Sequence, residues 1–473
     1  MNDLCVFAVK RGNIEKRFDP HANHPKFQTI FSRLKKYTIL PLRDYVECIF
    51  SGMTPKSGGD AYTESEDGIL FIKSGCLSND GRLTIDSTSK IKSDVHNRLM
   101  KSSQLKKNDV LIAIVGATIG KVGLFDLDCE ANINQAIAAA RLKDTILPEF
   151  LVAYMLSPFG QAYLEYLKRP VARANINLDE IGQIGIPCLS IKQQKQFIKA
   201  FYSARDLKEH KIKEADKLLE NTKKTVFETI DVLFEEYIPS LYSFNRLRDL
   251  IGTGIFCNPH SNYLNTVFAQ LRKNGLYIGD LAEFVEINPT TSRAGLQNDT
   301  LVSFVPMPAV EERTNNVSYE VRCYEEVKTG FTVFQKDDLL WAKITPCMQN
   351  GKSFVASNMP TEIGFGSTEF HVLRKKDERI YMPYLWVLLT DSHILEAAQG
   401  MFSGSAGQQR VSDLFLKRFP IVLPPVEKQK ELADQVFKAL ETNRVIRDEA
   451  EEEWQVAKEQ FEHGYGAILT LRV

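Results

Sequence analysis

The residues of this sequence best suited to chemistry stand in two sets of polar loops. In the first half, Gly116, Thr118, Gly120 and Lys121 form a glycine-bearing turn, followed by Asn132, Asn134 and Gln135 and then by Lys168, Arg169, Arg173, Asn175 and Asn177. The second half offers Lys343, Thr345, Asn350 and Lys352, then Ser405, Gln408 and Arg410. Glycine lets a backbone approach a phosphate closely, Lys and Ser/Thr hold the nucleic-acid backbone, and Asn, Gln and Arg pair bidentately with base edges. Loops that combine all three classes suit sequence-specific reading of double-stranded DNA. The expectation rests on recurrence: the same kind of loop stands at the same place in both halves, whereas any one of these residues would serve equally well in a solvated loop.

Catalytic patterns fail on inspection. The run Gly116 to Lys121 approaches a P-loop, but three residues separate its glycines instead of four, and Val122 stands where a magnesium-binding hydroxyl is needed. Neither Asn258-Pro259-His260 nor Asn288-Pro289-Thr290 supplies the aromatic that an amino-methyltransferase loop requires. There is no G-x-S-x-G, no H-E-x-x-H and no carboxylate cluster with a lysine at nuclease spacing. His21, His24 and His260 lack Cys or carboxylate partners at metal-ligand spacing. The expectation is therefore a chain without catalytic or metal-binding residues and without a cofactor of its own. The competing reading is a self-sufficient DNA-processing enzyme, a nuclease with an unrecognised active site.

Composition narrows the class. A formal net charge of −1 excludes a generally basic chain, so DNA must be met by local patches. The eight cysteines include no C-x-x-C pair and read as reduced thiols of a cytoplasmic protein. Met1 is not followed by a signal pattern, and no apolar run reaches the roughly eighteen residues a membrane span needs.

The loops need elements to hold them, and those elements occur twice. Leu42-Arg43-Asp44-Tyr45-Val46-Glu47 is echoed by Leu281-Ala282-Glu283-Phe284-Val285-Glu286. Lys107-Asn108-Asp109-Val110-Leu111-Ile112-Ala113 is echoed by Lys336-Asp337-Asp338-Leu339-Leu340-Trp341-Ala342, a polar turn entering a strand apolar on both faces. After each come the glycine-bearing turn, a strand ending in Arg141 or Arg374, a proline-started helix (Pro148 to Ser157; Pro383 to Ser392) and a polar loop. An Asp (Asp179; Asp413) and a strand then run into a long helix. Repetition on this scale means that one unit is built twice.

The two long helices close the halves. Residues 190–237 contain no Gly or Pro, open with an S-x-x-Q capping pattern at Ser190 and Gln193, and predict a helix of roughly 70 Å. Its seam is Ile212, Ala215, Leu219, Thr222 and Val226. A second run follows Pro424-Pro425, with Gly464 as its expected cap and a heptad seam of Leu432, Val436, Ala439, Asn443, Ile446, Ala450, Trp454, Ala457 and Phe461. Asn443 at a core position sets register at some loss of stability. The fold class expected is α+β: two tandem domains related by a pseudo-two-fold and separated by two long antiparallel coiled-coil helices.

On these residues the sequence resembles the specificity (S) subunits of type I restriction-modification systems, the HsdS family. The resemblance is carried by Lys106 to Leu111, Gly116 to Lys121, Asn132-Ile133-Asn134-Gln135-Ala136 and Asn175-Ile176-Asn177-Leu178-Asp179 with Ile186-Pro187 and Gln194. In the second half it is carried by Gly351-Lys352-Ser353 and Pro420 to Gln429, while Thr345-Pro346-Cys347 replaces the G-A-T-I-G form of the turn. What the resemblance implies is a target recognition domain over residues 1–189, a spacer helix over 190–237, a linker and second recognition domain over 238–425, and a second spacer helix over 426–465. It implies that each recognition domain reads one half of a bipartite DNA target and that the helices set the gap. Modification methyltransferase subunits, two of them, would carry S-adenosylmethionine, and a restriction and translocation subunit using ATP and Mg could join. The location implied is the prokaryotic cytoplasm, at the nucleoid.

Overall fold

The computed structural model describes residues 19–34, 38–56, 59–85, 88–169, 174–234, 261–405 and 408–470, the last eleven and residue 261 by backbone alone. The chain forms two compact units, one built from residues up to Lys211 and from Asp448 onward, the other from Ile212–Arg447. The boundary between them falls inside both long helices.

In the first unit the strand Asp109–Ala113 is buried along its whole length. It lies in an antiparallel sheet of order Val46–Ser51, Ile137–Leu142, Asp109–Ala113, Val122–Phe125. Alternate side chains of a strand point to opposite faces. Accordingly Val110 and Ile112 join the core containing the helix Pro148–Leu156, and Leu111 and Ala113 join a separate core with Ile72 and Ile133 of a second sheet. That double burial is why the run lacks the alternation of a half-exposed strand. In the second sheet, Ile69–Ile72 and Ala131–Ile133 pair in parallel.

The second unit repeats the plan. Its sheet has the order Val285–Ile287, Phe370–Lys375, Leu339–Ala342, Ser353–Val355. Leu339 and Trp341 face one core, and Leu340 and Ala342 face another. The parallel pair recurs between Leu301–Val305 and Ile363–Gly366. Even the entry turns agree: Asn108 and Asp337 take left-handed backbone at φ 75° and 66°, a conformation that Asn and Asp tolerate better than most residues.

Two further side chains are duplicated. Gln194, in the first turn of the first long helix, accepts the Leu147 amide at 2.8 Å and donates to Thr145 O and Leu189 O at 3.1 and 2.9 Å. Gln429 does the same in the second unit, accepting from Tyr381 at 2.9 Å and donating to Arg379 O and Pro424 O at 2.7 and 2.8 Å. Both are buried, so each amide satisfies backbone groups that would otherwise lack partners.

The helices depart from expectation in three places. The loop expected after the proline-started helix opens with another helix in both units, Pro158–Leu167 and Ser392–Ala398. Ser157 and Asp391 cap these by accepting from Gly160 at 3.5 Å and from His393 at 2.9 Å, and the run expected to reach Ser392 already stops at Leu389. The first long helix spans Ile191–Thr229 instead of reaching Tyr237. Asp231, at φ 56°, takes the left-handed position while Val232 N–H reaches Phe227 O at 2.9 Å and Asp231 N–H reaches Glu228 O at 3.0 Å, a Schellman closure achieved without glycine. The second long helix, Val426–Thr470, runs through Gly464. A glycine interrupts a helix only where the chain beyond turns away, and inside one it costs about 1 kcal/mol.

Within each unit the two long helices pack together. In the first, Phe201 and Trp454 meet edge to face at 4.7 Å, Lys208 pairs with Glu451, and Lys211 with Glu453 at 2.7 Å. In the second, Val226, Leu432 and Val436 share one core, and Asn443 donates to Asp216 at 3.0 Å. Ile212, Leu219 and Ile446 are half-buried. The Phe461 side chain lies outside the described residues.

Candidate nucleic-acid interface

The loops converge because the central strand of each unit continues past its sheet into a second set of backbone bonds. In the first unit, Ile114 N–H donates to Ala136 O at 2.9 Å and Ile114 O accepts from Ile176 at 3.0 Å. Gly116 N–H donates to Ala174 O at 2.8 Å, and Val115 and Asn175 face one another across this short antiparallel ladder. Asn175 therefore sits beside the glycine turn, far from it in sequence.

The turn is built by its own residues. Gly116 and Gly120 lie at φ 68° and 105°. A Cβ at Gly120 would stand 2.9 Å from Gln161 Oε1, and Gln161 donates to Gly120 O at 2.9 Å. Thr118 turns its hydroxyl inward to Val115 O at 2.9 Å, and Lys121 closes the turn as its carbonyl accepts from Ala113 at 2.9 Å. Asn134 braces its own loop by accepting the Ala136 amide at 3.2 Å, and Gln135 is exposed, with its side-chain Oε1 accepting the Thr54 hydroxyl. Arg169 is held by Glu180 at 2.7 Å and stands 3.5 Å from Asn175 Oδ1. Arg173 lies outside the described residues.

The second unit makes the same ladder. Lys343 N–H donates to Glu369 O at 2.9 Å, Lys343 O accepts from Val411 at 2.9 Å, and Thr345 N–H donates to Gln409 O at 2.9 Å. Ile344 faces Arg410 as Val115 faces Asn175. Lys352 closes the turn through Ala342 at 3.0 Å, as Lys121 does through Ala113. The bonds thus define equivalent positions: Ile114 and Lys343, Ala136 and Glu369, Asn175 and Arg410, Lys121 and Lys352.

This longer turn has its own supports. Gly351, at φ 69°, leaves no room for a Cβ, which would lie 2.7 Å from Arg313 Cγ. Asn350 donates to Glu312 at 2.8 Å, and Lys352 Nζ is 3.5 Å from Met307 O. Ser405 and Gln408 are exposed and joined by a backbone bond of 3.0 Å, with residues 406–407 outside the described set. Arg410 lays Nε and Nη2 on Glu369 at 2.9 and 2.8 Å, which holds the Glu369 carboxyl below its usual range. Beneath them His371 donates from Nε2 to Val411 O at 2.9 Å, and burial keeps its pKa below the ordinary value.

Sequence reasoning placed one loop residue wrongly and missed another. Asn132 is wholly buried, bonded to His96 at 2.6 Å, Met100 O at 2.8 Å and Ser103 at 2.9 Å, so it holds the scaffold and not a ligand. Glu369 was not foreseen. Its signal was a charged residue set between two buried strands, Ile363–Gly366 and Phe370–Lys375.

What each cluster can do chemically is bind an irregular polar surface: backbone amides and lysines at the turn, amides and guanidinium groups alongside. Among the described residues no group of three or more His, Cys, Asp or Glu could hold a metal ion, and no helix is long and apolar enough to cross a membrane. The nuclease reading gains no observation here.

Comparison with known proteins bears on both units. The family model described as "Type I restriction modification DNA specificity domain" matches twice, over residues 41–217 and 276–452. The specificity subunits of the type I restriction enzymes EcoEI and EcoBI of Escherichia coli are 35% identical over 150 residues and 31% identical over 173 residues. Those stretches cover 32% and 35% of this chain but only 25% and 36% of the relatives' lengths. Among solved structures, a chain from work on complex assembly and conformational transition of the type I R-M system aligns at 14% identity with a TM-score of 0.49, covering 90% of this chain and 96% of that one. The S subunit of a type I restriction-modification system from M. genitalium aligns at 13% identity with a TM-score of 0.37, covering 90% and 95%.

Proposed function

We propose, from the premise that this chain belongs to the type I restriction modification DNA specificity family, that it is the DNA-reading subunit of a restriction-modification complex and performs no catalysis itself. Each unit would read one part of a bipartite double-stranded DNA target, using the cluster at the end of its central strand. Gly116, Thr118, Gly120, Lys121, Asn134, Gln135, Arg169, Arg173 and Asn175 would serve the first part; Lys343, Thr345, Asn350, Lys352, Ser405, Gln408 and Arg410 the second. The two long helices would act as an antiparallel coiled-coil spacer between pseudo-two-fold-related domains, and as the surface on which modification methyltransferase subunits dock. S-adenosylmethionine, and ATP and Mg where a restriction subunit joins, would be bound by those partners.

The observation that carries this reading is the repeated ladder. Two units that hold the same backbone frame but present different side chains at equivalent places, Asn175 in one and Arg410 in the other, are what two different base sequences require. The test is adenine methylation mapped across DNA by the complex with its methyltransferase. The expected result is one bipartite motif with a constant gap, together with no turnover by the purified chain given magnesium and S-adenosylmethionine. Turnover by the chain alone, indifferent to added subunits, would overturn the proposal.

A further inference from the structure

The pair Arg410 and Glu369 stands apart from the other loop residues. Its place in the first unit is taken by Asn175 and Ala136, on the same backbone bonds. The frame is therefore stable without an ion pair there, and the pair in the second unit is an addition that folding does not demand. Its geometry is specific. Arg410 gives Nε–H and one Nη2–H to the two Glu369 oxygens, at 2.9 and 2.8 Å, and one Nη1–H to Gln408 O at 3.2 Å. A guanidinium has five N–H groups. Among the described residues two have no partner, one on each terminal nitrogen, and the side chain is 43% exposed. With Nε and Nη2 engaged on the Glu369 side, the Nη1–Nη2 edge is the one turned away from the carboxylate, and Glu369 fixes its orientation before any ligand arrives.

Such an edge matches the O6 and N7 acceptors of guanine in the major groove, the commonest partner of a bidentate arginine. It matches a phosphate less well. The carboxylate of Glu369 is ionised at neutral pH, so the pair is neutral overall and lacks the net positive charge from which phosphate contacts draw their strength. What the carboxylate supplies is preorganisation: a long side chain already immobilised loses less freedom on binding.

We propose that Arg410, positioned by Glu369, reads a guanine in the part of the DNA target served by the second unit. The inference rests on the proposed function and sharpens it to one base pair and two residues. Arg410 would touch the base, and Glu369 would act through it as a positioning residue.

The experiment uses the complex of this chain with its methyltransferase, on a pool of duplexes randomised across the target. Wild type, Arg410→Ala, Arg410→Lys and Glu369→Gln are compared by the sequence preference of methylation and by the dependence of DNA binding on salt. For Arg410→Ala and Arg410→Lys, the expected result is a roughly ten- to hundredfold loss of preference for guanine at one position. The rest of that part and the whole of the other part stay intact, with little change in salt slope. Lysine is included because it keeps the charge but lacks the fork. Glu369→Gln should relax the same position alone, by a smaller factor. Arginine variants that keep the complete motif, or that lose all positions of the second part equally, would overturn the proposal. Should Arg410→Ala abolish methylation altogether, Glu369→Gln decides, and an unrelaxed guanine in that variant overturns it too. A wild-type complex without any bipartite motif is a separate result, and it refutes the proposed function itself.

Discussion

Arg374 lays Nε and Nη2 on the carboxylate of Asp338 at 2.8 and 2.6 Å, and that carboxylate is 2% exposed at the mouth of the central strand of the second unit. Its second oxygen also takes the Gln335 amide at 2.7 Å. Arg141 and Asp109 repeat the arrangement in the first unit, at 3.0 and 2.7 Å. Removing one partner of a buried pair strands the other charge, at about 3–5 kcal/mol, whereas replacing both by apolar groups is often neutral. Arg374→Met is therefore expected to lower stability by about 3 kcal/mol, and Arg374→Met with Asp338→Leu to recover most of it, read by urea denaturation. A single variant as stable as wild type would show that water reaches the carboxylate freely.

Asn443 is the polar member of an otherwise apolar seam. It is buried, donates to Asp216 at 3.0 Å and accepts from Arg447 at 2.9 Å. Polar residues at such positions set register at a cost in stability. Because Asp216 and Arg447 are half-exposed and pair with each other, they keep their partners without it. Asn443→Leu is expected to raise the melting temperature by about 2–4 °C in a thermal scan, corresponding to roughly 1 kcal/mol. A fall in melting temperature would mean that the amide network contributes net stability.

His371 gives the second unit a pH dependence. Its pKa is lowered from 6.5, first by burial, which outweighs the raising effect of the Val411 carbonyl; Lys343 and Lys417 lower it further and Asp413 raises it. Below pH 6.5 the unfolded chain takes up a proton that the folded chain refuses, so the stability this group contributes is complete above 6.5 and is lost as pH falls towards the depressed folded value. Wild type should lose more stability between pH 7 and pH 5 than His371→Gln, which retains an N–H donor without the titration. Parallel urea midpoints in the two proteins would remove His371 from the account.

Lys121 and Lys352 occupy equivalent places at the closing end of the two turns. In the phosphate-binding role proposed for them, each should contribute to counterion release. Lys121→Ala and Lys352→Ala are expected to weaken DNA binding by the assembled complex across all sequences and to reduce its salt slope by up to about one unit each. Binding titrations from 50 to 200 mM salt measure this, and an unchanged slope in both variants places the lysines outside the interface.

The spacer role makes a different demand. Matched insertions of four residues in the two long helices, about one turn or 6 Å each, are expected to alter the gap in the methylated motif while leaving both of its parts unchanged. Mapping that showed altered bases at a constant gap would contradict that role.

Much of this protein is legible in its sequence. The duplication was visible because both units need a left-handed Asn or Asp, a buried Asp and a doubly apolar strand in immediate succession, and local requirements of that kind leave local marks. The long helices were visible because a seam must keep its heptad period over many turns. Their ends were not: Asp231 closes one helix several residues before the Tyr237 end expected for it, and Gly464 fails to close the other, because a cap depends on where the chain goes next. The helices starting at Pro158 and Ser392 were read as loop because seven to ten residues carry too little period to be distinguished.

Sequence alone determined that polar loops of matching type recur in both halves and that the chain offers no familiar catalytic set. Only the tertiary structure decided which residues meet. Val115 faces Asn175 and Ile344 faces Arg410 across backbone bonds between segments some sixty residues apart. The ion pair of Arg410 with Glu369 exists because a third segment is hydrogen-bonded to the same strand end. Contacts of that range are set by sheet register, which depends on the whole folded core and leaves no periodic trace in the residues it brings together.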